Sequence, residues 1–256
     1  MTILICATAF GGSLLTFFSG FGLGTVLMPV FGIFFPIQEA VALTAIVHLL
    51  NDFFKASLIG KYANKTVLIR FGIVALIFSF LGAKLLGLTS GIPSLKEYSI
   101  AGKFFEILPV KLVIAILIFV FTLIELLPFL NKFKVHAKYL PIGGALSGFF
   151  GGFSGHQGAL RTMFLSKLKL SKEAFIGTGA MIAVLIDTSR LIAYSTDLFK
   201  IGLSKNVVLV ICATISAMAG AWIGNKRLKK ITMDGVHKIV AVTLLLFAVA
   251  LGAGLI

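Results

Sequence analysis

Gly144 to Phe153 reads GALSGFFGGF, and Gly12 to Phe21 reads GSLLTFFSGF. The likeness continues downstream of both. Glu39-Ala40 matches Glu173-Ala174, Thr44 matches Thr178, and Asp52-Phe-Phe-Lys55 matches Asp187-Thr-Ser-Arg190. The chain therefore reads as two copies, residues 1–135 and 136–256. The first copy has an apolar segment, 2–35, broken by Gly20, Gly22 and Gly24, and then apolar stretches at 37–60, 66–88 and 108–130. The second has a segment at 140–167 broken by Gly151, Gly152, Gly155 and Gly158, and then stretches at 173–196, 203–224 and 233–255.

About 20 apolar residues cross the hydrocarbon core as one helix, so the six unbroken stretches are predicted to span a membrane. Each broken segment is too long for one clean helix and short for two. Clustered glycines open the backbone, and non-helical backbone at membrane depth survives only against protein or water. Composition agrees: 59% of residues are hydrophobic and 12% charged, against roughly 45–50% and 25% in ordinary soluble chains. Cys6 and Cys212 lie in apolar runs and form neither a disulfide framework nor a metal motif. The apolar start has no basic n-region, so no cleaved signal peptide is expected.

The formal net charge is +14, and its placement gives the orientation. Lys and Arg crowd the breaks at 61–70, 131–138, 166–172 and 225–230, the pattern of cytoplasmic loops at an anionic leaflet rather than of a nucleic-acid surface. With those loops inside, 140–167 starts and ends in the cytoplasm and is a re-entrant hairpin. By the same logic 2–35 dips from outside, and both termini are predicted outside. The expected fold is an all-α polytopic membrane protein of two inverted repeats, each a glycine-broken re-entrant hairpin plus three transmembrane helices. If both broken segments instead span fully, there are ten helices and the inversion survives. The insertion at 89–107 reads as an external cap or a longer linker. Inverted repeats with broken helices, and a site near the midplane where they meet, are the architecture of secondary transporters.

The run Gly20-Phe-Gly-Leu-Gly24 with Pro29, the run Gly151-Gly-Phe-Ser-Gly155-His-Gln157-Gly158-Ala-Leu160, Gly177-Thr178, and the later Asp187, Arg190 and Tyr194 resemble the sulfite exporter TauE/SafE family. The resemblance covers nearly the whole chain. It implies a multi-pass protein of the cell inner (plasma) membrane that moves sulfite, organosulfonates or similar small anions, with export as the expected direction.

Charge inside a membrane is by default a functional hypothesis. Lys55 and Arg190 occupy matching positions, each three residues after an Asp and so on its helix face. They are the first candidates for holding an anion; the alternative is that they snorkel to nearby surfaces. Asp52 and Asp187 lie deeper and either carry a coupling proton or neutralise their neighbours. At the glycine tips a second helical arm begins, and its free N–H groups and positive dipole end suit an anion. Gly22, Gly24, Thr25, Ser154, Gly155, His156, Gln157 and Gly158 are the tip candidates; close helix packing is the competing use of the glycines. Arg161, one turn beyond the second tip, either gives the site asymmetry or pairs with an Asp. His48 and Asn51 share a face with Asp52 and either line the same cavity or stabilise helix contacts. Thr44 and Thr178, equivalent in the two copies, are grouped with the Asp residues.

The function expected is secondary transport of a small sulfur-containing anion, with the lipid bilayer as the other partner and a homo-oligomer left open. No cofactor, metal or nucleotide motif is expected, nor any enzymatic activity. The alternative is a cation or metal-ion carrier using Asp52 and Asp187. A further alternative reads Gly152-Phe-Ser154-Gly155 as the GxSG of an intramembrane serine protease, with His48 or His237 as base.

Overall fold

The computed structural model describes residues 1–16, 22–89, 91–100, 102–126, 137–198, 203–226 and 234–256. Ten helices run through them: α1 (Thr2–Thr16), α2 (Leu23–Phe34), α3 (Ile37–Ile59), α4 (Lys65–Leu88), α5 (Pro109–Leu126), α6 (Leu140–Ser154), α7 (Gly158–Leu165), α8 (Lys172–Leu198), α9 (Leu203–Lys226) and α10 (Asp234–Gly252). A hairpin of β1 (Lys96–Ile100) and β2 (Lys103–Ile107) precedes α5. This is an all-α polytopic membrane protein: α3, α4, α8 and α9 are each long and apolar enough to cross a bilayer.

The second broken segment is divided at its glycines, and in the first a new helix starts after Gly22. α1 and α6 have 15 residues each, α2 has 12 and α7 has 8. At about 1.5 Å per residue none of these arms exceeds about 23 Å over the described residues, short of a hydrocarbon core of about 30 Å. Gly155 closes α6 in the left-handed region, at φ 81°, where a side chain would be strained. Gly20, at the first break, lies outside the described residues.

The packing partners correspond between the halves. α1 packs on α9 and α6 on α4; α3 lies on both α8 and α9, and α8 on both α3 and α4; α5 pairs with α10. Exchanging the first five helices with the last five carries this set of contacts onto itself. Each half is thus completed by a helix of the other.

Glycine makes the closest of these crossings. A Cβ on Gly144, Gly148 or Gly152 of α6 would lie 2.3, 2.1 or 2.0 Å from the carbonyl oxygens of Phe71, Ala75 and Ser79 on α4, and one on Gly82 would lie 2.0 Å from the Phe149 oxygen. The four-residue spacing on both helices is that of small residues bringing backbones together in membranes. Gly220 of α9 approaches the Phe10 oxygen of α1 in the same way, at 2.2 Å, and Gly177 of α8 approaches that of Ile59, at 2.5 Å. Close packing therefore claims Gly152, which the sequence placed at the tip break.

The insertion at 89–107 is the β-hairpin, seated on the chain's end. Tyr98 donates to the Ala253 carbonyl, Lys111 Nζ reaches Ile256 at 3.1 Å, and the backbone of Gly254, at φ 74°, lies against Glu106, where a Cβ would come within 2.1 Å of the carbonyl oxygen. The alternation of Tyr98 and Phe105 toward the protein, with Phe104 outward, follows from the period-two geometry of a strand.

Replacing Gly148 by Ala is expected to force α4 and α6 apart and cost about 1–3 kcal/mol. Gly11→Ala, whose new methyl would meet nothing within 4 Å, is expected to leave stability unchanged or raise it. Thermal unfolding of the two variants in detergent checks the contrast.

Candidate functional site

The two broken helices meet. A Cβ on Gly22 would lie 3.7 Å from Gly158 Cα, and one on Gly24 would lie 3.3 Å from the Gly155 oxygen. The start of α2 therefore abuts the turn between α6 and α7 and the start of α7. Neither helix has a side-chain N-cap, and first-turn N–H groups have no partner within their own helix. Two positive dipole ends come together at this junction.

α3 and α8 cross beside it and bring the charged residues of both copies into one network. Lys55 Nζ lies 3.4 Å from Asp52 Oδ1, and an Arg190 guanidinium nitrogen lies 2.7 Å from Asp187 Oδ1, each pair being one helical turn apart. His48, one turn before Asp52, joins the pairs: its Nδ1 is 2.5 Å from Asp187 Oδ2 and 2.8 Å from Asp52 Oδ2. A carboxylate oxygen only accepts, so Nδ1 carries the proton and one N–H faces two carboxylates. The ring's other nitrogen, Nε2, faces the first tip, 3.9 and 3.8 Å from the Cβ positions of Gly22 and Gly24.

Gln157 extends the network into the second tip. Its Nε2 donates to Asp187 Oδ1 at 2.9 Å and its Oε1 accepts from Arg161 at 3.2 Å; only this amide orientation satisfies both neighbours. Ser147 holds the turn by donating to the Gln157 backbone oxygen at 2.9 Å. Arg190 also donates to the Gly151 oxygen at 3.3 Å, and Tyr194 donates to that of Gly152. On the other side, with the Asn51 amide turned so that its oxygen meets donors and its nitrogen acceptors, Asn51 accepts from Lys55 at 3.0 Å and donates to the Ala217 oxygen and Ser13 Oγ at 3.1 Å each. Helices of both halves thus share one buried polar chain.

Lys55 is 3% exposed and Arg190 fully buried, so neither snorkels to a surface. Three cations, Lys55, Arg161 and Arg190, stand against two carboxylates, which leaves one net positive charge with His48 neutral. Thr25, Gln157 and His156 are buried at the tips. His156 donates from Nδ1 to the Ser154 oxygen at 2.9 Å, and its Nε2 has no hydrogen bond among the described residues. Thr44 and Thr178 are not brought together. The Thr178 hydroxyl accepts from the Asn64 backbone N–H at 2.8 Å, beyond the end of α3, while the Thr44 hydroxyl is buried without a hydrogen bond among the described residues.

Two alternatives lose support. The ligand atoms of His48, Asp52 and Asp187 lie within 4.8 Å of one another, but Arg190, Gln157 and Lys55 already engage the same carboxylates. A divalent ion would also add charge beside three cations, so this donor set does not fit a metal. The Ser154 hydroxyl donates to its own helix, to the Phe150 oxygen at 3.0 Å. His156 Nδ1 is 3.3 Å away but bound to the Ser154 carbonyl, and the Nδ1 of His48 is held by carboxylates, so no Ser–His–acid relay forms among the described residues. The His237 side chain lies outside the described residues.

A polytopic helical bundle with two broken helices meeting at a buried, net-positive polar cluster defines the class of membrane transporters. The chain matches the family model described as sulfite exporter TauE/SafE over residues 4–251 and belongs to that family, one of transporters of sulfite and related anions. No curated protein and no solved structure matches it.

Sequence reasoning puts His48 on one face with Asp52, either lining the same cavity or stabilising helix contacts; its contact with Asp187 across the helix crossing is what local spacing does not show.

Breaking a buried ion pair from one side costs about 3–5 kcal/mol. Asp187→Asn and Arg190→Gln are each expected to lower stability by that order, and the double variant by less than their sum, as for residues in contact. Detergent unfolding of the full cycle checks this; strict additivity would contradict the pairing.

Proposed function

We propose that this protein is a secondary transporter that exports a small sulfur-containing anion, sulfite or an organosulfonate. The observation that carries the reading is the burial of Lys55, Arg161 and Arg190 at the junction of two uncapped helix starts, with one positive charge in excess. A planar or pyramidal oxoanion suits such a place: guanidinium groups grip two oxygens at once, and backbone N–H groups take the third. Access alternates as the two halves rock about the site. The halves, 1–135 and 136–256, are inverted repeats with re-entrant broken helices; the exchange symmetry of the helix contacts and the shortness of the four arms support this reading. The protein sits in the cell inner membrane with its basic loops in the cytoplasm and its termini outside. Within the site, Arg161 of α7 supplies the cation that the first copy lacks, since Leu27 stands at the matching place.

Direct binding to purified protein tests the reading. Sulfite, sulfate, thiosulfate and ethanesulfonate are offered to wild type, Lys55→Ala and Arg161→Ala. At least one anion is expected to bind, and each substitution to weaken it by about 2 kcal/mol or more, about thirtyfold. Undiminished binding in both variants would move the site elsewhere, and binding of none of the four would overturn the anion reading.

A further inference from the structure

His48 is the residue at which the two halves of the network and the glycine tips all touch, and its two ring nitrogens face different partners. Nδ1 donates to Asp187 at 2.5 Å and lies 2.8 Å from Asp52 Oδ2. Nε2 looks toward Gly22 and Gly24; the polar contacts of His48 among the described residues run through Nδ1, and the side chain is 97% buried. With Nδ1 holding its proton against the carboxylates, a neutral imidazole presents a bare lone pair at the junction of the tips. A lone pair repels an anion; an N–H donates to one. The ring therefore has two states that an anion at this place distinguishes.

We propose that His48 takes up a proton on Nε2 when the anion binds, so that anion and proton occupy the site together. The inference rests on the anion reading of the site. The step balances simply: a proton from solvent joins the Nε2 lone pair, the new N–H donates to the anion, and no other bond changes. The charged and titratable groups around the ring are Asp52 and Lys55 on its own helix, Asp187 and Arg190 on α8, and Arg161 with His156 from α7 and the turn before it; α2 contributes Gly22, Gly24 and Thr25, none of which titrates. The two carboxylates favour the imidazolium, and an anion beside Nε2 favours it further, so proton and anion stabilise each other. For a monoanion the loaded site gains no net charge, so its carriage follows the gradients of anion and proton rather than the membrane potential. The asymmetry is built into the sequence, because Ala183 stands at the matching position of the second copy.

Calorimetric binding of sulfite, sulfate and ethanesulfonate to the purified full chain, repeated at one pH in buffers of different ionisation enthalpy, counts protons taken up per anion. Wild type is expected to take up about one more proton per anion than His48→Gln, a difference that removes any proton sulfite itself exchanges. Its affinity is expected to fall about tenfold per pH unit once the free ring has lost its proton, as linkage requires for one coupled proton. His48→Gln keeps an N–H donor near the tip, so it is expected to bind with little pH dependence; His48→Asn, with no group reaching the tip, serves if the Gln variant does not fold. Anion binding by wild type with no proton uptake, or equal uptake in the variants, would overturn the proposal and leave the anion site standing. Failure of all three anions to bind overturns both.

Discussion

Charge that is buried in a membrane protein must be answered at contact distance, and that requirement organises this structure. Arg190 is fully buried and Lys55 nearly so, and each has its carboxylate one turn away on the same helix. Two self-contained pairs would be neutral and inert. His48 and Gln157 prevent that by tying Asp187 to Asp52 and to Arg161. The carboxylates become shared counter-charges, and the cations remain in excess.

Such a network needs its helices held closely and in one register. Glycine provides both. Along α6, Gly144, Gly148 and Gly152 press on the α4 backbone, and this fixes the carbonyls of Gly151 and Gly152 that receive Arg190 and Tyr194. One turn later the same helix ends at Gly155, whose left-handed backbone turns the chain so that Gln157 can meet Asp187. Packing and site are therefore two uses of one glycine-rich run: the early glycines admit a neighbouring helix, and the last one makes the break. The correspondence of contacts between the two halves extends this logic, since α1 on α9 repeats α6 on α4 with Gly220 at the crossing.

Much of this could be read in the sequence, and the parts that could not share a cause. The glycine breaks, the long apolar stretches and the two i, i+3 ion pairs depend on local spacing, which sequence displays directly. The meeting of Asp52 with Asp187 through His48 depends on how α3 crosses α8, and no local pattern carries it. Gly152 counts among the glycines of the break in the sequence, because a glycine cluster does not say which members face a helix. Thr44 and Thr178 match in the repeat, yet the Thr178 hydroxyl accepts from the Asn64 N–H and the Thr44 hydroxyl has no hydrogen bond among the described residues; equivalence of position did not bring equivalence of role. The hairpin at 96–107 was missed because its strands are five residues each and are held by tertiary contacts with the chain's end.

The central claim is that the cluster between the halves carries a small anion across the membrane. Flux of radiolabelled sulfite from proteoliposomes tests it most directly, with the potential clamped and wild type compared with Arg161→Ala. The account predicts saturable flux in wild type that is lost in the variant while the folded protein remains in the membrane. Sulfite flux through Arg161→Ala at the wild-type rate would contradict it.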